Sequence, residues 1–294
     1  MTPWLVLVNP HAGRGRSAMA DTVAALRSHS VPADVLEVDG LGALGDAVRD
    51  AASADRRRLV AVGGDGTVNA VLNEIMAHEW NAAPLLGILP AGTGCDLLRT
   101  FGIGPDLDRA AARLVEGTPY PVDVGLAMGE WGRRYFLNVA SAGATAAAAG
   151  TAQHIPARLG SFRYVAAVAA SLPSWRPIDA RVEAGRRKFS GLALTVVAAN
   201  AQFFGGGFNI APRASMVDGL LDIQVISSRR REVAALMRKA RGGNHLADPG
   251  VRRFVVPEAR IEADPPWPVE VDGEPIGRTP LLVRLRAGSL RLMI

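Results

Sequence analysis

The first part of the chain alternates short apolar runs with longer segments whose apolar residues recur at helical spacing. The apolar runs predict strands at residues 5–8, 34–38, 59–62 and 85–89. The segments that follow them predict helices at residues 17–28, 43–52, 68–76 and 107–116. Strands that alternate with helices are typical of βα units joined into a parallel sheet. We therefore predict an α/β domain over residues 1–122.

From residue 120 onward the pattern changes to short β-type segments. Strands are predicted at residues 121–127, 134–140, 178–184, 192–200, 219–226, 252–263 and 268–271. One helical insertion is predicted at residues 161–172, where Pro173 ends the pattern. These elements indicate a mostly antiparallel, β-rich second domain over residues 123–294, whose last few residues are candidates for packing back on the first domain. An active site is expected in the cleft between the two domains.

Composition narrows the class of protein. With 294 residues, 49% of them hydrophobic, the chain can bury a large core. Its one cysteine, Cys95, cannot form an internal disulfide, and the start of the sequence lacks a signal-peptide pattern. No apolar stretch reaches the length of a membrane-spanning helix. We therefore expect a cytoplasmic protein whose membrane contact is peripheral.

The formal net charge is +5, and nearly all the cations are arginine, which suits bidentate contacts to phosphate groups. A bias of genome composition would explain the same arginine content, so the charge alone does not identify a partner. The chain has no zinc-finger cysteines, helix-turn-helix signal or basic strand interleaved with aromatic residues. Nucleic acid is therefore not a predicted partner.

Three glycine-containing loops follow predicted strands of the first domain. The first, residues 8–17, opens a helix, so its backbone N–H groups can face an anion, although a Gly-rich turn capped by Ser17 would also explain it. It lacks the Gly-Lys-Ser/Thr ending of a Walker loop, so any phosphate contact depends on backbone amides, Arg16 and Ser17. The second loop, residues 62–69, places three glycines around Asp65, which can reach a magnesium ion.

The third loop, residues 90–96, again lies between an apolar strand and a helical pattern. In an open parallel sheet, such loops gather at the carboxyl ends of the strands, where these folds bind nucleotides. The first domain is therefore predicted to bind a nucleotide through its phosphates.

An ordered set of motifs resembles the catalytic domain of the bacterial diacylglycerol kinase family, which also includes sphingosine and ceramide kinases. The motifs are Asn9-Pro10 with Gly13-Arg14-Gly15, the Gly-Gly-Asp-Gly-Thr loop at 63–67, residues 90–96, Asp123-Val124-Gly125, Phe136-Leu137-Asn138, Phe204-Gly205-Gly206-Gly207, Ala211-Pro212, residues 218–222 and Val271-Asp272-Gly273-Glu274. The 63–67 loop is shared with NAD kinases and phosphofructokinases, whereas the 218–222 segment after Gly-Gly-Gly and Ala-Pro is similar to the lipid-kinase β-domain.

The resemblance implies ATP and Mg²⁺ as cofactors, with phosphate transferred to a lipid hydroxyl, and diacylglycerol converted to phosphatidic acid as the expected case. It implies that ATP contacts Asn9, Pro10, Gly13, Arg16, Gly63, Gly64, Asp65, Gly66, Thr67, Asn69, Gly92 and Thr93. Asp65, Asp96 and Asp123 would form a carboxylate network around Mg²⁺, and a structural Mg²⁺ would lie near Ser215, Asp218 and Leu220.

The resemblance also places the proton acceptor in the Asp272-Gly273-Glu274 motif. Two residues apart on an extended segment, Asp272 and Glu274 would project to the same side, so both remain candidates for the base, with Asp65 as a further catalytic residue. A solvated β-turn would also explain this motif.

Three positions depart from the family pattern. Cys95 stands where the family usually has Asn, which replaces an amide with a weak donor and predicts looser ATP binding. Residues 38–40 lack a threonine that often contacts the nucleotide. Thr145 stands where an Asp is common. Each departure puts its own contact in doubt.

A lipid substrate would be met at a membrane surface, and three cationic clusters are candidates for docking on anionic headgroups. They are Arg186-Arg187-Lys188, residues 228–231 and residues 238–241, although solvated turns and caps would also explain each one. The apolar stripe of residues 161–172 could border an acyl-chain channel, but ordinary core packing is the preferred interpretation. Edge strands in the second domain would allow a homodimer.

Two alternatives stay open at this point. A related kinase acting on a soluble substrate such as NAD would keep the same phosphate loops. A catalytically silent regulator that binds lipid or nucleotide would account for Cys95 and the missing threonine. The sequence does not identify which lipid alcohol is the acceptor.

Overall fold

The computed structural model describes residues 2–11, 17–91, 95–156, 159–160 and 162–294. They form two compact units. Unit 1 contains residues 1–122 and 288–294, and unit 2 contains residues 123–287. None of the helices within the described ranges is both long enough and apolar enough to span a membrane.

Unit 1 is built on a parallel sheet. Its strands are β1 (Trp4–Val8), β2 (Ala33–Glu37), β3 (Arg58–Gly63) and β4 (Leu85–Pro90), and its helices are α1 (Ser17–Ser28), α2 (Gly40–Ser53), α3 (Asp65–Ala77), α4 (Asp96–Thr100) and α5 (Leu107–Glu116). The strand order is β2-β1-β3-β4, and residues 291–292 at the chain end add a parallel strand beside β4.

Every residue of β1 and β4 is buried, which explains why these strands are continuous apolar runs. The parallel α/β domain predicted from the sequence is confirmed.

Unit 2 is mostly β-structure. Its strands are β5 (Pro119–Gly129, which begins in unit 1), β6 (Gly132–Phe136), β7 (Val139–Gly143), β8 (Ile178–Ala184), β9 (Arg187–Ala193), β10 (Thr195–Ala199), β11 (Phe203–Phe204), β12 (Phe208–Asn209), β13 (Leu221–Ile226), β14 (Val251–Val256), β15 (Glu258–Asp264), β16 (Pro268–Val271), β17 (Glu274–Arg278) and β18 (Leu281–Met293, which ends in unit 1). Its helices are α6 (Ala144–Gln153), α7 (Phe162–Ser171) and α8 (Val233–Arg241).

Two antiparallel layers enclose the core of unit 2. One layer has the strand order β14-β13-β10-β7-β16-β17, and the other joins the first half of β18 to β15, β8 and β9. Side chains from both layers form one buried apolar cluster, including Val196, Ile223 and Val269 from the first and Val182 and Ile261 from the second. The mostly antiparallel second domain predicted from the sequence is confirmed.

Three segments predicted as single strands each form two strands. The segment 134–140 divides between β6 and β7, 192–200 between β9 and β10, and 252–263 between β14 and β15. In each case the two strands belong to different layers of unit 2. Pro257 lies at the third break, where it has no N–H to offer to a ladder. These predictions were wrong because apolar alternation continues through a corner where the chain changes sheets.

The prediction of one helical insertion in the second domain was also wrong. Helices α6 and α8 accompany α7, which starts at Phe162, while Ser161 lies outside the described residues. Nine of the ten residues of α6 are Ala, Gly or Thr, so the segment carries little helical periodicity. Its helix therefore depends on packing against the sheet rather than on an apolar stripe.

We expect Gly125→Ala to destabilise unit 2. A Cβ at Gly125 would lie 2.2 Å from the ring of Phe136, which is fully buried beside it. Overpacking of this kind costs about 1–3 kcal/mol. Chemical denaturation should reveal the loss, whereas Gly42→Ala in α2 is the matched control because its Cβ would meet no atom within 4 Å. Equal stability of Gly125→Ala and the unaltered protein would contradict this packing.

Candidate functional site

The loop after β3 brings a helix N-terminus to the carboxyl end of the parallel sheet. A Cβ at Gly63 would lie 2.3 Å from Thr67 Oγ1, so the tight turn into α3 requires glycine there. Gly64 precedes the helix in an extended conformation and provides no side-chain cap. The first N–H groups of α3 are therefore available to an anion such as a phosphate.

Asp65 connects this loop to the third loop. Its two carboxylate oxygens accept hydrogen bonds from the backbone N–H of Asp96 at 3.0 and 3.1 Å. Burial raises the pKa of Asp65, and the hydrogen bonds from Asp96 oppose that shift. Asp96 in turn lies 3.3 Å from Nε of Arg99. Two predicted metal ligands, Asp65 and Asp96, are thus adjacent in unit 1.

Cys95 completes this contact. Its side chain is 3% exposed, and its thiol donates to Asp65 Oδ1 at 3.2 Å. Burial, with the nearby negative charge of Asp65, raises the pKa of the thiol well above its ordinary value. The thiol therefore stays neutral as a donor, and the weak donor expected at this position is directed at Asp65.

The first loop contacts the second through Asn9. Its Nδ2 atom lies 3.5 Å from Thr67 Oγ1, and its Oδ1 atom accepts the N–H of His11 at 2.9 Å. His11 also pairs with Asp39 at 3.1 Å. Asp39 belongs to the segment 38–40, which lacks the expected threonine. Asn9 therefore contacts the second loop, and its contact with phosphate stays a prediction.

Asn69 was predicted to contact ATP, but it is 1% exposed and its Oδ1 atom accepts from Asn73 at 3.0 Å. Asn69 is therefore one of the buried residues of α3. Pro10 and Gly66 are described, with Gly66 exposed at the first turn of α3. Gly13, Arg16, Gly92 and Thr93 lie outside the described residues, as does the side chain of Ser17.

Asp123 supports a loop of unit 2. Its side chain is 3% exposed, and Oδ2 accepts the N–H of Gly219 at 2.7 Å. Its own N–H donates to the carbonyl of Met216 at 2.7 Å. Asp218 is exposed and accepts the N–H of Leu220 at 3.0 Å, so it closes the same loop. Asp123 is therefore adjacent to the loop that holds Ser215, Asp218 and Leu220.

Within the described ranges, no group of three or more His, Cys, Asp or Glu side chains is arranged to hold a metal ion. Proteins often bind Mg²⁺ through only one or two carboxylates, with substrate phosphates and water as the other ligands. Asp65 and Asp96 offer carboxylates of that kind, on two residues that hydrogen-bond to each other through the Asp96 backbone near the start of α3.

The Asp272-Gly273 pair forms the tight turn between β16 and β17. Both residues have positive φ, +47° and +86°, and Val271 pairs with Glu274 across the turn. This conformation is the type I′ turn that favours Asp-Gly. The prediction of an extended segment was therefore wrong here, and the two-residue spacing does not establish that Asp272 and Glu274 project together.

The two acids of this motif have different partners. The carboxylate of Asp272 accepts the N–H groups of Leu137, Asn138 and Val139 at 3.0, 3.0 and 2.9 Å. Glu274 instead pairs with Arg134 on β6 at 2.6 Å and keeps 41% of its side chain exposed. Asp272 is thus bound by backbone, while Glu274 is accessible.

A chain of buried polar groups lies behind the turn. Glu270 on β16 is fully buried, accepts the N–H of Gly273 at 2.7 Å and lies 2.6 Å from Ser141 Oγ. Thr145 Oγ1 is 2.7 Å from Ser141 Oγ and 2.6 Å from Thr195 Oγ1. The hydroxyl of Thr145, at a position where the family often has Asp, is therefore part of this chain.

An apolar cavity of about 70 Å³ lies on the other side of Thr145 and Thr195. Aromatic and aliphatic side chains of α7, α8 and the strands line it, including Tyr164, Phe204 and Met237. Tyr164 packs edge-on against Phe204 and Phe208. Of the apolar stripe of α7, Val168 is buried and Tyr164 and Leu172 pack against the core, whereas Val165 is exposed. The core packing preferred from the sequence therefore holds for part of the stripe, and Tyr164 and Val168 also line this cavity.

Comparison with known proteins identifies the family. The diacylglycerol kinase catalytic domain matches residues 3–127, and the YegS C-terminal NAD kinase beta sandwich-like domain matches residues 138–294. A Pseudomonas aeruginosa protein named "probable lipid kinase YegS-like" is 32% identical over 246 residues, covering 83% of this chain and 79% of the relative. The chain belongs to the diacylglycerol kinase and YegS-like lipid kinase family. The resemblance found in its motifs is confirmed.

One further relative agrees with this assignment, and a solved structure shows the same fold. A diacylglycerol kinase of Bacillus subtilis is 27% identical over 237 residues, covering 80% of this chain and 76% of the relative. The fold matches the crystal structure of a diacylglycerol kinase from Bacillus anthracis with a TM-score of 0.76 and 23% identity, over 99% of this chain and 96% of the other.

The sequence analysis missed several members of the site. Arg134 lies on a strand of the β5–β6 hairpin, and nothing in its sequence neighbourhood indicates that it pairs with Glu274. The burial of Glu270 could have been predicted from the sequence. It is the one acid in the apolar run 268–271, and an acid in such a run is buried when its strand lies inside a sheet. The contact of Cys95 with Asp65 joins two loops distant in sequence and needed the fold.

We expect Asp272→Asn to lower the free energy of unfolding by about 1–3 kcal/mol, because an amide nitrogen cannot accept the N–H bonds that one carboxylate oxygen now takes. Asn keeps the left-handed conformation accessible, so backbone strain does not confuse the result. Glu274→Gln should change stability by less than about 1 kcal/mol, since its ion pair is partly exposed. Urea denaturation of the two variants would test this, and equal losses would contradict the different roles.

Proposed function

We propose that the protein transfers the γ-phosphate of ATP, with Mg²⁺, to the hydroxyl of a lipid alcohol, with diacylglycerol as the first acceptor to test. The observation that carries the proposal is the accessible carboxylate of Glu274, held by Arg134 at 2.6 Å beside a turn fixed by Asp272. Membership of a lipid kinase family supports the reaction class.

Unit 1 supplies the phosphate-binding groups in this proposal. The first N–H groups of α3, after Gly63 and Gly64, receive phosphate oxygens, and Thr67 adds a hydroxyl donor. Asp65 and Asp96 would hold Mg²⁺, which would supply neutralisation of the phosphate charge. The thiol of Cys95 keeps the Asp65 carboxylate oriented through its hydrogen bond.

Unit 2 supplies the proton acceptor. The acceptor oxygen forms a bond to the γ-phosphorus, its bond to hydrogen breaks, and Glu274 takes the proton while ADP leaves. Asp272 is less suited to this step because both of its oxygens already accept backbone N–H bonds. We therefore assign the base to Glu274 and a positioning role to Asp272. The Asp123 loop with Asp218 and Leu220 remains the proposed place of a structural Mg²⁺.

The apolar cavity of unit 2 supports a lipid acceptor. It holds only about 70 Å³, so an acyl chain would enter by displacing the side chains that line it. Tyr164 and Met237 belong to α7 and α8, and movement of these helices would widen the cavity. We propose that the cavity marks the inner end of the acyl-chain site.

The outer surfaces of α7 and α8 support the proposal that this side of unit 2 faces a membrane. Phe162 and Val165 lie at the start of α7 and are 65% and 37% exposed, and Leu159, just before the helix, is 43% exposed. On α8, Arg238 and Arg241 are exposed, as are Arg229, Arg230 and Arg231 just before it. Exposed apolar residues beside arginines suit a bilayer that carries anionic lipid. We propose peripheral docking through this α7–α8 face at the inner membrane face.

The first test is transfer of label from ATP to mixed micelles that contain a panel of lipid alcohols. We expect a chloroform-extractable product, and Glu274→Gln should lower kcat by about 10²–10⁴-fold, as removal of a general base does. ATP binding, measured separately, should be retained. Glu183→Gln is the matched control, because Glu183 is an exposed partner of Lys188 on the β8–β9 hairpin.

Each outcome of this assay selects a function. Label in lipid that is lost with Glu274→Gln supports the proposal and names the acceptor. Label in a soluble product would favour a kinase acting on a substrate such as NAD. Binding of ATP and lipid without transfer would favour a silent regulator.

Vesicle sedimentation tests the membrane proposal. Replacing Arg238 and Arg241 by Ala should weaken binding to anionic vesicles by about 2 kcal/mol, or roughly 30-fold, and high salt should reduce the difference. Phe162→Ser should weaken binding to the vesicles at low salt and at high salt. Arg186→Ala with Arg187→Ala removes two charges at the β8–β9 hairpin tip and is the control. Binding to neutral and anionic vesicles with equal affinity would contradict electrostatic docking.

A further inference from the structure

A fully buried acid stands directly behind the turn that carries Glu274. Glu270 lies on β16, which runs between β7 and β17 in the six-stranded layer, and it is paired with Ser141 of β7. Its Oε2 atom accepts the N–H of Gly273 at 2.7 Å. Its Oε1 atom lies 2.6 Å from Ser141 Oγ. Within the described part of the chain, no arginine or lysine side chain bonds to this acid.

Four short oxygen-to-oxygen contacts follow one another from this acid. They join Glu270 to Ser141 at 2.6 Å, Ser141 to Thr145 at 2.7 Å, Thr145 to Thr195 at 2.6 Å, and Thr195 to the carbonyl of Ala142 at 2.7 Å. Glu270, Ser141, Thr145 and Thr195 are each less than a tenth exposed. Bulk water therefore does not supply alternative partners for this chain.

The number of protons decides the charge of the acid. Each contact between two oxygen atoms at this distance needs one hydrogen, so the chain needs four. The three hydroxyl groups of Ser141, Thr145 and Thr195 supply three. If Glu270 is ionised, one buried contact brings two oxygens together without a hydrogen. If Glu270 is protonated, each of the four groups donates one hydrogen bond to the next group along the chain. The last of these bonds runs from Thr195 to the Ala142 carbonyl.

We propose that Glu270 carries a proton in the folded protein and that this neutral acid is a positioning residue for the turn at residues 272–274. Its hydroxyl donates to Ser141, and its carbonyl oxygen accepts from Gly273, so the turn is tied to β7 through one side chain. The catalytic consequence rests on the proposed function, because Glu274 closes the same turn. The proton itself does not depend on that function.

The electrostatic surroundings agree with a neutral acid. The pKa of Glu270 is raised to about 7, mainly by burial and also by the negative charge of Asp272, while the contacts with Ser141 and Gly273 oppose the shift. Strand β7 and helix α6 contain no titratable residue. The other groups facing this region are Tyr164 of α7, whose pKa burial raises, and the Glu274–Arg134 pair at β17.

Stability measured against pH tests the proton directly. A glutamate in the unfolded chain ionises near its ordinary pKa of 4.5, while folded Glu270 keeps its proton until about 7. The favourable contribution of the neutral acid is therefore complete below pH 4.5, falls as the pH rises, and reaches its minimum above 7. Glu270→Gln has the same shape and lacks the titration, so its Tm should exceed that of the unaltered protein by a margin that grows between these two values.

Glu262→Gln is the matched control for this measurement. Glu262 is an exposed acid of unit 2 that pairs with Arg260, and its variant should follow the unaltered protein across the same pH range. Parallel curves for the unaltered protein and Glu270→Gln would overturn the proposal, because they would mean that Glu270 ionises like an exposed acid.

Thr195→Val provides a test of the chain rather than of the acid alone. Without the Thr195 hydroxyl, two oxygen contacts remain, and the hydroxyls of Ser141 and Thr145 supply both hydrogens. The acid no longer needs its proton, so its ionisation should move to lower pH. Infrared difference spectra between each protein and its Glu270→Gln form would follow the carboxylic-acid C=O band. An unchanged titration in Thr195→Val would overturn the role of the chain.

Kinase assays then separate position from charge. Glu270→Leu should lower kcat at least tenfold with little change in KM for ATP, and Glu270→Gln should restore most of kcat while removing any change with pH near 7. Equal kcat for both variants would overturn the positioning role. If the unaltered protein phosphorylates no lipid, the proposed function fails, but the stability and infrared results still decide whether Glu270 holds the proton.

Discussion

The Asp272 carboxylate accepts hydrogen bonds from three consecutive backbone N–H groups. These bonds join the two segments of unit 2 that form its candidate site. Residues 137–139 leave one sheet and enter the other, so their N–H groups cannot all be satisfied by a ladder. A buried N–H without a partner costs free energy comparable to a lost hydrogen bond. Asp272 meets that requirement, and the turn it begins fixes where Glu274 starts β17.

Several buried polar groups of unit 2 lie around this turn. Glu270 supports the turn from below through Gly273, and Arg134 holds Glu274 beside it. Each polar contact of this kind must be complete, since an unsatisfied buried group is destabilising. The same requirement accounts for Thr145, whose hydroxyl both donates and accepts within the chain.

In unit 1, by contrast, the proposed phosphate contact requires backbone donors that no side chain caps. Gly63 and Gly64 bring the chain into α3 without a side-chain cap. The Asp65 carboxylate accepts a hydrogen bond from the N–H at the start of α4. This bond holds the second and third loops in one arrangement. A neutral thiol at Cys95 serves that contact, so the departure from the family pattern is accommodated within the protein.

The sequence by itself determined the parallel α/β unit, the β-rich second part and the residue types of the phosphate loops, because apolar period and glycine placement are local properties. It did not determine where the segments 134–140, 192–200 and 252–263 change sheets, since alternation continues through each corner. It also left Asp272 and Glu274 equivalent. Only the tertiary structure separated them, because hydrogen-bond partners such as Leu137 and Arg134 lie more than a hundred residues away in the chain.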